Sequence, residues 1–300
     1  MLFRSACAYI DWATGRFSSE SDLNPANLID PYNGQADIRA KVLRHVTDAF
    51  REDAVRILRV ARFAARFADF SVAPETMQLM QSMVNDGEVD ALVAERVWQE
   101  LSRGLMENKP SRMLQVLREC GALLTLLPEI KLAKFKLGSD PNLDPNLMDP
   151  DLILDTAARI NAPLVVRFAC FMRDLTPELL KAICNRLRVP TDCKDLAELL
   201  VRERGNIQHS SELGASGLVK LLERCDAFRK PQRFAELLLA CECIDGHAAP
   251  GQHLKIALQA AQSVVTSVVA KSAQDEGLDG IKIGERVHVA RVAAVAAQIK

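Results

Sequence analysis

The stretch that most constrains this chain is Glu52-Asp53-Ala54-Val55-Arg56-Ile57-Leu58-Arg59, which runs on through Arg62-Phe63-Ala64-Ala65-Arg66-Phe67. At 100° per residue, Glu52, Arg56, Arg59, Arg62 and Arg66 fall on one side, and Ile57, Leu58, Ala61, Ala64 and Ala65 fall on the other. The spacing predicts one amphipathic helix with Glu52 and Asp53 in its first turn, where negative charge suits the positive end of the helix dipole. Glu52 stands at i,i+4 from Arg56 and holds part of that charge at the surface.

A carboxylate pair one turn from two arginines can do chemistry or merely decorate a surface. A carboxylate accepts and a guanidinium donates, and together they match the edge of a base such as cytosine or adenine, which sets an amine beside a ring-nitrogen acceptor. The plainer reading is a polar face laced with ion pairs. Residues 38–66 carry eight Lys and Arg against three Asp and Glu, a surplus of +5 within a chain whose net charge is −1. That surplus is the footprint of a phosphate-bearing partner, provided the charges converge.

Composition places this helix among others. Of 300 residues, 49% are hydrophobic, 26% are charged and 5% are aromatic, and helical periodicity recurs where apolar/polar alternation is scarce. The expectation is an all-α fold, long enough for two domains. No run is long and apolar enough to span a bilayer and no secretory leader opens the chain, so a cytoplasmic location is expected. The eight cysteines are scattered singly through apolar sequence and read as buried thiols.

The motif Glu52-Asp53-x-x-Arg56-x-x-Arg59 resembles the nucleotide-recognition motif of class II tRNA nucleotidyltransferases, the CCA-adding enzymes. Its flanks agree: Asp30-Pro31-Tyr32-Asn33-Gly34, Asp37-Ile38 and Leu43-Arg44-His45 before it, and Arg62-Phe63-Ala64-Ala65-Arg66-Phe67 after it. Downstream, Glu95-Arg96-Val97-Trp98-x-Glu100-Leu101 and Val116-Leu117-x-x-x-Gly121-Ala122-Leu123 resemble further family blocks. The resemblance implies that Asp53 and Arg56 read the base of CTP or ATP, supported by Glu52 and Arg59. It implies that Arg44, Arg62 and Arg66 contact RNA, and that tRNA is the partner. Helices are expected over 74–84, 92–105 and 111–120, with Asp86-Gly87 and Gly121 as stops. Trp98 reads as core, with stacking on RNA as the sharper alternative.

The same resemblance raises an expectation of what the chain does not supply. A CCA-adding enzyme carries Mg²⁺-binding carboxylates upstream of these blocks, and residues 1–27 match neither them nor the R-R-D-x-x-x-N-A segment. No catalytic residue is assigned here, and Mg²⁺ chemistry is expected only with a catalytic head. The expected organisation is an irregular segment over 1–27, a neck and body over 28–137, an Asp-Pro-rich linker over 138–151, and a final domain with a C-terminal helix over 152–300.

That final domain resembles the HD phosphohydrolase domain of some bacterial CCA-adding enzymes, at 162–170, 186–190, 221–226 and 229–234. Where the defining His-Asp pair belongs, the sequence has Arg173-Asp174, followed by Leu175-Thr176-Pro177. Other ligand positions fall near Asp149, Arg204 and Gln208, so only Asp174 persists and no metal is expected. Cys241, Cys243, His247 and His253 form a second candidate constellation, but the two cysteines lie on an apolar helix and diverge. The basic, aromatic stretch Phe228–Phe234, with Arg229, Lys230 and Arg233, reads as a solvated turn in preference to an RNA contact. The leading reading is a tRNA-binding part of a CCA-adding enzyme that is not catalytic by itself. The alternatives are the RNA-binding half of a split active enzyme and a helical protein-interaction scaffold.

Overall fold

The computed structural model describes residues 30–132 and 150–299. The segment 1–27 and residues 138–149 of the expected linker lie outside the described residues. The chain divides into two compact units, one built on residues 1–135 with 158–160 and 182–189, the other on the remainder.

The first unit starts with α1 (Gly34–Ala40) and β1 (Val42–Leu43). Asp30 opens it: its two carboxylate oxygens accept the amides of Gly34 at 2.6 Å and Gln35 at 2.9 Å, satisfying helix donors that lack intrahelical partners. A 3-10 turn, Asp48–Glu52, then leads into α2 (Val55–Arg66). β2 (Ser71–Val72) pairs in parallel with β1, Val42 opposite Ser71 and Leu43 opposite Val72. These two-residue strands form the only sheet among the described residues, and the fold is otherwise helical, as expected.

α3 (Pro74–Asn85), α4 (Ala94–Leu105), α5 (Pro110–Glu119), α6 (Ala122–Leu126) and α7 (Pro128–Leu132) follow. The expected boundaries hold to within a residue or two. Pro74 and Pro110 sit at first helical positions, where a missing amide costs nothing, and Gly87 and Gly121 take the positive φ that stops the chain. α2 lies at the centre of this unit, packed against α4 and α5. Its predicted apolar face is the buried one: Ile57 and Leu58 are 1% exposed, and Ala61, Ala64 and Ala65 are fully buried. Burying Ile57 and Leu58 contributes about 1.5–3 kcal/mol each. The three alanines let α4 and α5 approach closely, and Gly104 does the same from the other side, lying directly over the Met113 side chain.

The second unit contains most of α8 (Pro150–Arg159), α9 (Leu164–Met172) and part of α10 (Pro177–Arg186). α11 (Thr191–Gln208), α12 (Ala215–Arg224), α13 (Pro231–Asp245), α14 (Ala249–Gln262), α15 (Thr266–Asp275) and α16 (Gly280–Gln298) complete it. Pro150 and Asp151, assigned from sequence to the linker, belong to the start of α8, consistent with proline at a first helical position. α9, α11 and α13 pack on one another around Phe168, Leu196 and Leu237, and α16 packs on α12, α14 and α15. The seven cysteines among the described residues are buried free thiols. No described helix is long and apolar enough to cross a membrane.

Candidate nucleic-acid interface

The site is organised around the entry into α2. The helix does not begin at Glu52. Asp48–Glu52 is the 3-10 turn, Asp53 is extended at φ −148 and ψ 103, and regular helix starts at Val55. The reason is the Asp53 side chain, whose Oδ1 accepts the Val55 amide at 3.1 Å, so that the residue caps the helix from outside. Its Oδ2 accepts from Arg96 Nη2 of α4 at 2.7 Å. Burial pushes the Asp53 carboxyl up, but Arg96, the Val55 amide and the more distant Arg56 outweigh it and hold the group below its usual range.

Arg56 is tied back to the 3-10 turn. Its Nη1 donates to the Ala49 carbonyl and its Nη2 lies 3.7 Å from Glu52, the predicted i,i+4 partner. Glu52 itself is exposed. Glu52, Asp53 and Arg56 are therefore gathered at one end of α2, and Arg59 stands one turn further along without contact to them. Among the described residues no ion pair involves Arg59 or Arg66, and the Nε of Arg59 is buried without a hydrogen-bond partner.

Arg62 goes elsewhere. Its Nε donates to Glu100 at 2.7 Å, its Nη1 lies 3.5 Å from Glu107, and it leans over the Phe63 ring at 4.7 Å. Only 12% of its side chain is exposed. Arg44 is likewise engaged, by Asp37 at 3.1 Å and by Glu75, while Leu43 is buried and His45 shares a hydrogen bond with Thr76 at 2.8 Å. The block before the motif thus folds into a brace beneath α2.

The +5 surplus of residues 38–66 is largely neutralised in space by acids from outside that window. Asp37 and Glu75 face Arg44, Asp69 faces Lys41, Asp86 and Glu88 face Arg51, and Glu100 and Glu107 face Arg62. What stays open among the described residues is narrower than the sequence implied: Arg39, exposed and meeting only the neutral Gln35 Oε1 at 3.3 Å, and Arg59 and Arg66 on one stripe of α2, about two turns apart. Arg66 is exposed beside Phe67, its guanidinium 5.7 Å from the ring.

Two residues here were not singled out from sequence. Arg96 was read only as part of a block, since nothing local shows that its partner is Asp53, 43 residues away. Phe67 is 40% exposed and lies between Phe63, stacked at 6.1 Å, and Phe70, tilted at 5.3 Å, and the repeated Arg-Phe dipeptide at 62–63 and 66–67 is a signal that could have found it. Trp98 is partly buried and does not join the core.

In the second unit, Arg173 is 7% exposed, donates to the Cys170 carbonyl at 3.0 Å and pairs with Asp174 at 3.1 Å. Arg204 forks onto one oxygen of Asp245 at 2.7 and 3.2 Å, and Gln208 is exposed. Asp149 lies outside the described residues. Cys241 and Cys243 are buried on α13, and burial pushes the Cys241 thiol up to about 12. No group of three or more His, Cys, Asp or Glu side chains converges among the described residues. The Phe228–Phe234 stretch is bound up internally: Phe234 is core, Arg291 stacks on Phe228 at 3.8 Å, and Arg229 and Arg233 pair with Asp226.

Residues 69–134 match the family model described as "Probable RNA and SrmB- binding site of polymerase A". A multifunctional CCA protein from Acidovorax sp. (strain JS42) is 54% identical over 301 residues, covering 90% of this chain and 70% of the relative. One from Polaromonas naphthalenivorans (strain CJ2) is 52% identical over 324 residues, covering 97% and 74%. Among solved structures, the Thermotoga maritima CCA-adding enzyme complexed with tRNA superposes with a TM-score of 0.65 at 18% identity, over 92% of this chain and 66% of that one. A CCA-adding enzyme with ATP gives a TM-score of 0.65 and 18% identity, over 93% of this chain and 65% of that one. This last pair of likenesses establishes the shared fold, and the chain spans about two thirds of those structures' length. At more than 50% identity across most of its length, the chain belongs to the multifunctional CCA protein family of CCA-adding tRNA nucleotidyltransferases.

Proposed function

We propose that this chain acts in tRNA 3′-end processing by holding tRNA and reading the base of CTP or ATP, and that it does not transfer the nucleotide by itself. The observation that carries this reading is the arrangement on α2. An anchored Asp53–Arg56 pair, supported by Glu52, stands at its start, and the unpaired guanidinium groups of Arg59 and Arg66 follow on the same helix. Asp53 offers acceptor lone pairs to an exocyclic amine and Arg56 offers donors to the neighbouring ring nitrogen, a combination that uracil and guanine do not match. Arg59 and Arg66 supply sequence-independent attraction to phosphate. Arg44 and Arg62, with their acidic partners already in place, serve the scaffold.

Among the described residues, the Mg²⁺ that nucleotidyl transfer requires finds no fitting donor set. Glu52, Asp53, Glu100 and Glu107 each face a guanidinium, and a divalent cation would have to displace it. On this reading the transfer carboxylates belong to a catalytic head outside the residues described. For the second unit we propose no metal and no phosphohydrolase activity, because Arg173 and Arg204 occupy the positions the family resemblance gives to ligands and are themselves paired with acids. Stoichiometric Mn²⁺ or Ni²⁺ binding by this chain would refute that part.

Equilibrium binding of unmodified tRNA across a salt series tests the main reading. Log affinity should fall linearly with log salt, and Arg59→Ala or Arg66→Ala should each reduce the slope by about 1. Arg62→Ala should weaken the fold more than it changes the slope. An absence of tRNA binding at low salt would overturn the proposal.

A further inference from the structure

We infer that Arg96 is a positioning residue for base recognition, fixing the Asp53 carboxylate in the one orientation from which it can read an incoming base. This rests on the base-reading role proposed above for Asp53. Three features support it.

First, Asp53 is held at two points by two different elements. One oxygen takes the Val55 amide at 3.1 Å and the other takes Arg96 Nη2 at 2.7 Å. A carboxylate held by one oxygen swings about its side-chain torsions, whereas one held by both does not, and each oxygen keeps a further lone pair for a base amine.

Second, the distal anchor is itself immobilised. α4 is fastened to α2 by the buried Val97 and Leu101 and by the Arg62–Glu100 pair, so Arg96 projects from a fixed base. Third, Arg96 contributes little to the fold for its own sake. Half of its side chain is exposed, and a pair so placed stabilises a fold by a small amount at most. An arginine reaching an extended aspartate at the mouth of a helix, at small gain in stability, fits a role in orienting that aspartate. The charged groups facing Asp53 are Arg96 from α4, Arg56 from α2 and the adjoining Glu52, with Arg56 committed to the Ala49 carbonyl and to Glu52. Losing Arg96 therefore removes the nearest positive charge.

The test uses the full chain with CTP and GTP as probes, and compares Arg96→Gln and Arg96→Lys with the parent. Arg96→Gln should lower CTP affinity about fivefold and narrow the CTP-over-GTP preference by a similar factor, with the unfolding midpoint nearly unchanged. The Asp53 carboxyl, followed by carbon NMR, should titrate at higher pH in this variant, and the acid limb of CTP binding should move up with it. Arg96→Lys should restore part of both effects, as charge returns without the planar fork. A CTP preference and an Asp53 titration that both survive Arg96→Gln would overturn the role of Arg96 alone. A parent chain with no CTP-over-GTP preference would overturn the base-reading itself, and the inference with it.

Discussion

Removing the Glu100 side chain should be among the most damaging single changes in the first unit. Glu100 is 6% exposed and takes the Arg62 Nε at 2.7 Å, joining α4 to α2, the helix that carries the motif. Glu100→Ala leaves a guanidinium whose side chain is 12% exposed with only Glu107, at 3.5 Å, and the π face of Phe63 to satisfy it. Breaking a buried ion pair from one side costs about 3–5 kcal/mol. The second carboxylate and the residual exposure of Arg62 reduce that here to about 2–3 kcal/mol. Replacing both partners with well-packed apolar side chains removes the stranded charge, so Arg62→Met/Glu100→Met should be more stable than Glu100→Ala. Urea unfolding of the parent, Arg62→Met, Glu100→Met and the double variant closes the cycle. A coupling energy below about 0.5 kcal/mol would refute the view that Arg62 is a structural arginine and would return it to the pool available for RNA.

In the second unit, burial pushes the Glu203 carboxyl up, but Arg224, Asn206 and Arg202 more than offset that and hold it below the usual range. Its folded value is depressed, so its contribution is present above the unfolded carboxylate value and is lost as pH falls through the folded one. Glu203→Gln should therefore cost about 1 kcal/mol at pH 7, with the variant and parent stability curves drawing together as pH falls below the ordinary carboxylate range, as read by denaturant unfolding across pH. Gly104→Ala sets a methyl group on the Met113 side chain, which is 1% exposed. Overpacking of about 1–3 kcal/mol, against a helix-propensity gain of about 1, predicts a net loss of up to about 2 kcal/mol. Pairing it with Met113→Val should recover part of that loss, and equal losses with and without the second change would exclude the clash as the cause.

Much of this fold is written in local signals. The apolar stripe of α2 is read from period alone because Ile57, Leu58 and the alanines recur at helical spacing, and tertiary packing agrees with it. α3 and α5 are bounded by Pro74 and Gly87 and by Pro110 and Gly121, residues whose backbone preferences act locally. The site is less legible for a physical reason. The start of α2 shifts from Glu52 to Val55 because Asp53 turns one carboxylate oxygen onto the Val55 amide, and its other oxygen meets Arg96, 43 residues away, which no local pattern shows. The fate of Arg62 depends on Glu100, and that of Arg51 on Asp86 and Glu88, so a charge count over a continuous window overstates the surplus available to a ligand. Arg59 and Arg66 look no different from Arg62 in the sequence, and only the positions of the acids separate them.

The central claim is that this chain holds tRNA without building on it. Purified chain, a tRNA lacking its terminal CCA, labelled CTP and ATP, and Mg²⁺ put both halves in one tube. The account predicts that the tRNA is retained on a filter at low salt while no label enters it, and that retention falls when Arg59 and Arg66 are both replaced by glutamate. Label incorporated at the tRNA 3′ end by this chain alone, or retention indifferent to those two arginines, would contradict it.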